Sequence, residues 1–167
     1  MAEAIHHSSG FAIAEALDAA ALAACRELFI EYQQRLGVSL CFQGFDRELA
    51  TLPGDYARPR GRLLLARIAG EPAGCVALRP LERGTAEMKR LFVRPAYRGM
   101  SLGRTLAECI IDEASALGYG TIKLDTLPSM RDAQRLYSIL GFADTSPNND
   151  NPIEGTRFMA LDLAARR

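Results

Sequence analysis

The sequence predicts one α/β domain in which helices cover a mixed β-sheet. The chain is 167 residues long, which is enough to bury a core within a single domain. Strand-like apolar runs alternate with helix-period segments in the order β-α-α-β-β-β-α-β-α-β-β, which is typical of a sheet with helices on its faces. We expect residues 1–10 to form a flexible N-terminus and residues 11–167 to form the domain.

The first third of the chain predicts a strand, a long helix and a surface segment. FAIAEA, residues 11–16, is a short apolar run, and Asp18 can cap the helix that follows it. Gly37 marks the end of that helix. Residues 38–60 predict a second short helix and a surface loop rich in Pro, Gly and Arg. The apolar face of the long helix consists of Leu22, Cys25, Phe29, Tyr32 and Leu36.

The middle of the chain predicts three strands and a second buried helix. Residues 62–68 and 73–79 are apolar runs around a Gly-Glu-Pro turn, which is a hairpin pattern. Residues 86–93, AEMKRLFV, predict a third strand. A glycine-bearing turn leads from this strand into a helix that Gly118 ends. The apolar face of that helix consists of Leu102, Leu106, Cys109, Ile110, Ala114 and Leu117.

The C-terminal part predicts a strand, a helix and two returning strands. TIKLDT, residues 121–126, is the strand, and Ser129 with Asp132 forms the S-x-x-D pattern of a capping box. Gly141 takes the position just after the helix, and Phe142 re-enters the sheet. Residues 156–163 predict the final strand. One side of the helix carries Ala133, Leu136, Tyr137 and Leu140.

Charge and hydropathy narrow the classes of function. Twenty basic residues balance twenty acidic ones, so the chain lacks the excess of positive charge that is typical of proteins that bind DNA or RNA. No apolar run approaches the ~18 residues that span a bilayer, and the N-terminus lacks the regions of a signal peptide. We therefore expect a cytoplasmic protein with no nucleic-acid partner and no membrane partner.

The cysteines and histidines indicate no metal site. Cys25, Cys41, Cys75 and Cys109 form no CxxC pair, and their apolar surroundings favour buried reduced thiols. The two histidines are adjacent, at positions 6 and 7. Because a pair of histidines without a further ligand binds metal poorly, we expect no metal ion.

VRPAYRGMSLGR, residues 93–104, joins the third strand to its helix and predicts an anion site. Backbone N–H groups point outward at a helix start, and the helix dipole adds positive charge there. Gly99 and Gly103 allow close backbone approach, while Arg94, Arg98 and Arg104 can donate forked hydrogen bonds to phosphate oxygens. The stretch matches neither the P-loop nor the dinucleotide GxGxxG pattern. Solvated arginines at an ordinary helix start are the alternative.

EMKRLFVRPAYRGMSLGR resembles the acetyl-CoA signature of the GNAT superfamily of N-acetyltransferases, whose core is Q/R-x-x-G-x-G/A. Here that core is Arg98-Gly99-Met100-Ser101-Leu102-Gly103, with Ser101 where the first signature glycine is expected. The later block LDTLPSMRDAQRLYSILGF is similar to a second motif of the superfamily, which ends in LYxxLGF at residues 136–142. The resemblance covers essentially the whole chain and implies a mostly antiparallel sheet with splayed central strands and flanking helices.

The resemblance implies acetyl-CoA as the acyl donor, with its pyrophosphate at the glycine turn. The thioester would lie beside the third strand, where a backbone N–H can stabilise the oxyanion and the exposed strand edge can pair with pantetheine. Ser101 can still offer its backbone N–H, so we expect a weaker or rearranged phosphate contact. The implied cofactor-binding residues are Leu91, Phe92, Val93, Arg98, Gly99, Met100, Ser101, Leu102, Gly103, Arg104 and Thr105.

Two side chains are candidates for proton transfer. Tyr137, the tyrosine of LYxxLGF, is the candidate general acid because a phenol with a pKa of about 10 can protonate a thiolate. A purely structural role in the core is its alternative. Glu87 is the candidate general base, directly or through water. Strand alternation places it on one face with Lys89, Leu91 and Val93, and a structural Glu87–Lys89 pair is the alternative.

These residues and the resemblance together imply acetyl transfer to a primary amine of a small molecule or peptide. Cys109 is a poorer nucleophile for an acyl-enzyme, because it lies on a buried stripe without a histidine to activate it. Two alternatives remain: a non-catalytic CoA-binding regulatory module, and the same fold acting with a longer acyl-CoA. The sequence does not decide between a monomer and a homodimer. The residues that can meet the acceptor are Asp125, Asn148, Asn149, Asp150 and Asn151.

Overall fold

The structure, a computed structural model, describes residues 3–40 and 44–166 and contains an eight-stranded sheet with helices on both faces. Among these residues, no helix combines the length and the apolar character that crossing a membrane requires. The helices are α1 (Ala19–Leu36), α2 (Phe45–Thr51), α3 (Leu102–Ala116) and α4 (Arg131–Ile139). The strands are β1 (Ala4–His7), β2 (Ala12–Glu15), β3 (Arg62–Ile68), β4 (Glu71–Pro80), β5 (Thr85–Val93), β6 (Thr121–Thr126), β7 (Ala143–Asp144) and β8 (Arg157–Asp162).

The sheet is mostly antiparallel and opens at its centre, as the resemblance implied. Its strand order is β1-β2-β3-β4-β5-β6-β8-β7. Among the strands of the described residues only β5 and β6 run parallel, and they pair over just three residues, from Thr85 opposite Thr121 to Glu87 opposite Lys123. Beyond this point β5 continues to Val93 without pairing with β6, whereas β6 stays paired with β8 on its other edge along its whole length. The central strands therefore diverge and leave one edge of β5 unpaired with β6.

Two cores lie on opposite faces of this sheet. On one face α1 and α2 pack on β3 and β4, with Phe29 and Phe45 fully buried. On the other face α3 buries the predicted stripe against the sheet, and Tyr137 of α4 joins the same core. The three described cysteines, at positions 25, 75 and 109, are free thiols buried in these cores, as predicted. Cys41 lies outside the described residues.

A β-bulge in β5 makes the predicted strand alternation wrong. Lys89 pairs with Ala77 and Phe92 with Cys75, so β5 has one residue more than β4 over this interval. Arg90 absorbs the extra residue in the left-handed conformation, with φ 61°. A bulge shifts the alternation by one position. Glu87 and Lys89 therefore share the α1 face with Phe92, whereas Leu91 and Val93 pack against the α3 core.

Three local predictions also differ from the structure. Residues 4–7, placed in the expected flexible N-terminus, form β1 and pair with β2, although the strand is too short and polar to show in the sequence. The β3–β4 hairpin turns at Ala69–Gly70, both with positive φ, so Pro72 lies within β4. Ser129 does not cap α4, because residues 127–130 form a turn and Met130 occupies the N-cap without a side-chain bond.

Candidate active site

The divergence of β5 and β6 opens two adjoining cavities. The large cavity has a volume of about 670 Å³ and runs along the edge of β5 to the start of α3, a size typical of small-molecule sites. The small cavity, of about 30 Å³, lies deeper between the strands. Tyr32 and Leu36 of α1 and Met130 before α4 line both cavities. The opening in the sheet thus connects the two faces of the protein.

The glycine turn forms one end of the large cavity. A short 3₁₀ helix at Pro95–Tyr97 follows β5, and α3 begins at Leu102. Gly99 and Ser101 both have positive φ, 82° and 61°. A glycine adopts this conformation without the Cβ clash that other residues suffer, which explains the preference for glycine at the position of Ser101. The Ser101 side chain makes no capping hydrogen bond to α3, so no side-chain cap offsets this cost.

Of the three arginines predicted to serve a phosphate, only Arg98 lines the large cavity. Arg94 donates three hydrogen bonds of 2.7–3.1 Å to Glu31 and so ties β5 to α1. Arg104 pairs with Glu108 one turn along α3, at 2.9 Å. Arg94 thus ties β5 to α1, Arg104 lies in an exposed ion pair outside the cavity, and Arg98 is the arginine of the turn that faces the cavity.

Eight of the eleven predicted cofactor-binding residues line the large cavity together. The other three do not: the Met100 side chain is exposed, Arg104 is in its helical ion pair, and the Thr105 hydroxyl donates to the Ser101 carbonyl at 2.9 Å. The eight that line the cavity are Leu91, Phe92, Val93, Arg98, Gly99, Ser101, Leu102 and Gly103.

Tyr137 lies at the small cavity, on the inner side of α4. Its side chain is 5% exposed and its ring packs 5.7 Å from the ring of Phe142. Burial raises the pKa of the Tyr137 phenol above its ordinary value of 10.0, and Tyr32 and Asp125 act in the same direction. The phenol therefore stays protonated at neutral pH, which is the state that a general acid requires.

Glu87 is fully buried but lines neither cavity. Its Oε1 accepts hydrogen bonds from Arg79, which stands directly opposite on β4, at 2.7–2.8 Å. Lys89 is farther away, at 3.9 Å, so the main ionic partner of Glu87 is Arg79 rather than the predicted Lys89. Oε2 accepts a 3.3 Å hydrogen bond from Asn148. This oxygen therefore faces the loop that covers the gap between β5 and β6.

The loop before β8 closes over the divergent strands through three asparagines. Asn148 binds Glu87 of β5, while Asn149 and Asn151 donate to Oδ2 of Asp125 on β6, at 3.3 and 3.2 Å. Asn149 also donates to Asn148 at 3.4 Å. Asp125 and Asn151 line the small cavity with Tyr137. The loop thus links the two strands by a chain of polar contacts.

Several cavity residues escaped the prediction because they come from segments distant in sequence. Tyr32 was predicted only as part of the apolar face of α1, yet it lines both cavities, and burial raises the pKa of its phenol to about 12. Arg35, in the last turn of α1, and Arg131, the first residue of α4, supply further positive charge to the large cavity. The sequence offered one indication of this, because Tyr32 places a hydroxyl on the otherwise apolar face of α1.

Comparison with known proteins agrees with this architecture. A sequence model of the acetyltransferase (GNAT) family matches residues 21–142. A Schizosaccharomyces pombe protein described as an uncharacterized N-acetyltransferase is 43% identical over 136 residues, which cover 80% of this chain and 83% of that protein. An IAA acetyltransferase of Azospirillum brasilense is 42% identical over 92 residues, covering 54% of this chain and 60% of that protein.

A solved structure shows the same fold. It is an acetyltransferase from Salmonella typhimurium determined with its cofactor acetyl-CoA. The two chains superpose with a TM-score of 0.73 at 24% sequence identity, over 93% of this chain and 95% of that one. The two chains therefore share the same overall fold.

Proposed function

Because the chain belongs to the acetyltransferase (GNAT) family, we propose that it transfers an acetyl group from acetyl-CoA to a primary amine of a small molecule or peptide. The observation that carries this proposal is the pair of adjoining cavities along the edge of β5 that β6 leaves unpaired, of which the large one reaches the start of α3 and the small one is lined by Tyr137. The start of α3, at one end, suits a phosphate group, and the buried phenol of Tyr137 lies at the other end.

The residues along the large cavity fit acetyl-CoA. Backbone N–H groups from Gly99 to Gly103 and the positive end of α3 suit the pyrophosphate, and Arg98 adds a full charge. The edge of β5 that β6 leaves unpaired offers backbone donors and acceptors to the amides of pantetheine. A backbone N–H at Leu91 or Phe92 is the proposed donor to the thioester carbonyl oxygen.

Tyr137 is the proposed general acid. As the amine nitrogen forms its bond to the acetyl carbon, the carbon–sulfur bond breaks, and the phenol donates its proton to the departing thiolate. The position of Tyr137 at the small cavity, next to the proposed thioester site, supports this role. Tyr137→Phe is expected to lower kcat by roughly 100-fold or more, with the acetyl-CoA dissociation constant unchanged. A wild-type kcat in this variant would exclude the acid role.

Glu87 is proposed as a general base that acts through water, because its carboxylate does not line the cavity. The proton that leaves the ammonium of the acceptor would pass to Oε2, the oxygen that faces Asn148. The pH–rate profile of Glu87→Gln tests this role. Loss of the acidic limb in the variant supports the base, whereas a profile of unchanged shape assigns Glu87 to a structural pair with Arg79.

The first assay is release of CoA thiol from acetyl-CoA across amino acids, polyamines, aminoglycosides and short peptides. Turnover with a selective set of amines that Tyr137→Phe abolishes would establish the transferase and identify its acceptor class. Acetyl-CoA binding without turnover of any amine would instead favour a CoA-binding module. Competition by longer acyl-CoA thioesters in the same assay gives the acyl preference.

A further inference from the structure

We propose that Asp125 binds the ammonium group of the acceptor and that Asn149 and Asn151 hold its carboxylate in place. This inference rests on the transferase function proposed above and assigns the acceptor side of the same site. It also defines the acceptor class as aliphatic amines, which are protonated at neutral pH with pKa values of about 10, rather than neutral arylamines.

The position of Asp125 in the sheet is the first argument. The pairing of β5 with β6 ends at Lys123, and Asp125 lies two residues farther along β6, on the same face of the strand. It therefore lies where the strands have already diverged, and it lines the small cavity together with Tyr137. Glu87 stands before the divergence and lines neither cavity.

The charge balance is the second argument. Among residues 3–40 and 44–166, Asp125 forms no ion pair with a lysine or an arginine. Lys89 lines the same cavity, and burial lowers the pKa of Lys89 while the charge of Asp125 acts to raise it, but the ion pair that Lys89 forms is with Glu87, at 3.9 Å. A partly buried carboxylate that has a cation nearby but none in direct contact is stabilised further when a ligand brings a positive charge against it. An ammonium group in the small cavity would supply it.

The hydrogen bonds of Asp125 are the third argument. Both donors are neutral amides, from Asn149 and Asn151, and both bind Oδ2. In the described part of the chain no donor binds Oδ1, so this oxygen retains its capacity to accept from an ammonium group. The two asparagines thus fix the orientation of the carboxylate through Oδ2, and Oδ1 remains available to the acceptor. Through Asn148 the same loop also contacts Glu87, the proposed base.

Asp125→Asn tests the proposal, because it removes the charge and keeps the shape. For the best aliphatic amine of the panel, KM is expected to rise roughly 10- to 100-fold, the range for losing a hydrogen bond to a charged group. The KM for acetyl-CoA should stay within twofold. Glu154→Gln is the matched control, since Glu154 is an exposed acid of the same loop, and it should leave both constants unchanged.

Comparison of amine classes gives a second readout that a structural role would not produce. The arylamine aniline should be a poor substrate for the wild type, and Asp125→Asn should leave its kcat/KM unchanged. An amine KM within twofold of wild type in Asp125→Asn, or an equal loss for aniline and the aliphatic amine, would overturn the proposal. If this variant does not fold, Asn149→Ala, in the exposed loop, should raise the aliphatic amine KM severalfold, and an unchanged KM would count against the proposal.

A binding measurement separates this inference from the transferase function. Spermidine and tetra-alanine are titrated calorimetrically into protein saturated with CoA. If the wild type turns over no amine but binds one of these probes, and Asp125→Asn loses that binding, the acceptor site is supported while the transferase function fails. If turnover occurs in the wild type but amine affinity does not depend on Asp125, the transferase function holds and the assignment of Asp125 is overturned.

Discussion

The Glu48–Arg90 ion pair is expected to hold the bulge of β5 in its strained conformation. Arg90 has φ 61° although it carries a Cβ, a conformation that costs about 1–2 kcal/mol for a non-glycine residue. Its guanidinium donates to both carboxylate oxygens of Glu48, at 2.8 and 3.0 Å, and lies 5.2 Å from the centre of the Phe45 ring. Its carbonyl accepts a 3.3 Å hydrogen bond from the Cys75 thiol.

Glu48→Gln should therefore destabilise the protein strongly. The side chains of Arg90 and Glu48 are only 3% and 14% exposed, and removal of one partner from a buried pair typically costs 3–5 kcal/mol. Glutamine keeps one oxygen that can accept from the guanidinium, so we expect the lower end, about 3 kcal/mol. At 2–4 °C per kcal/mol for a chain of this size, Tm should fall by roughly 6–12 °C.

The assay is urea unfolding together with a thermal scan of wild type and variant. Glu108→Gln is the matched control, because it removes the same charge from the exposed Arg104–Glu108 pair, whose side chains are 55% and 42% exposed. Such pairs contribute about 0–1 kcal/mol. If Glu48→Gln lost no more stability than Glu108→Gln, the ion pair would not hold the bulge, and the strain at Arg90 would have to be offset by its contacts with Phe45 and Cys75 and by the backbone pairing of β5.

Three further changes test other features. Ser101→Gly should stabilise the protein by roughly 0.5–1 kcal/mol in urea unfolding because it relieves a positive φ without losing a cap, and a less stable variant would contradict this. Gly74→Ala should cost about 1–3 kcal/mol in the same assay, since a Cβ there would lie 2.7 Å from the Phe92 carbonyl oxygen; wild-type stability would show that β5 can shift. Burial raises the pKa of both Cys25 and Tyr32 to about 12, so the folded state keeps protons that the unfolded state loses above pH 9–10. The free energy of unfolding should therefore fall as pH rises from 9 toward 12. Between pH 8 and pH 10.5 the urea midpoint should fall less in Cys25→Ala than in the wild type, and an equal fall in both proteins would refute this.

Most of the fold was predictable because its helices bury regular stripes. Leu102, Leu106 and Ile110 recur at helical spacing, and all three are buried under the sheet. Gly118 and Gly141 follow their helices with positive φ, as predicted. These are local signals, since spacing and terminal glycines act within a few turns of chain.

The active site was less predictable because it depends on contacts across the sheet. AEMKRLFV alternates well enough to suggest a regular strand, and the bulge at Arg90 becomes visible only through its pairing with β4. The partnership of Glu87 with Arg79 is likewise a matter of register between two strands. Asp125 and the asparagine loop meet only because β6 and β8 pair. No pattern within one segment encodes these distances.

The bulge at Arg90 also joins the stability of the fold to the shape of the site. Because Lys89 faces Ala77 and Phe92 faces Cys75, a chain that lacked Arg90 would keep both halves of β5 in register with β4. In genetic terms the residue is equivalent to a one-codon insertion in β5. Its deletion would straighten the strand edge beside the small cavity, and it would also remove the guanidinium that binds Glu48 and packs over the Phe45 ring. One extra residue thus shapes the site and stabilises the α1 face of the sheet at the same time.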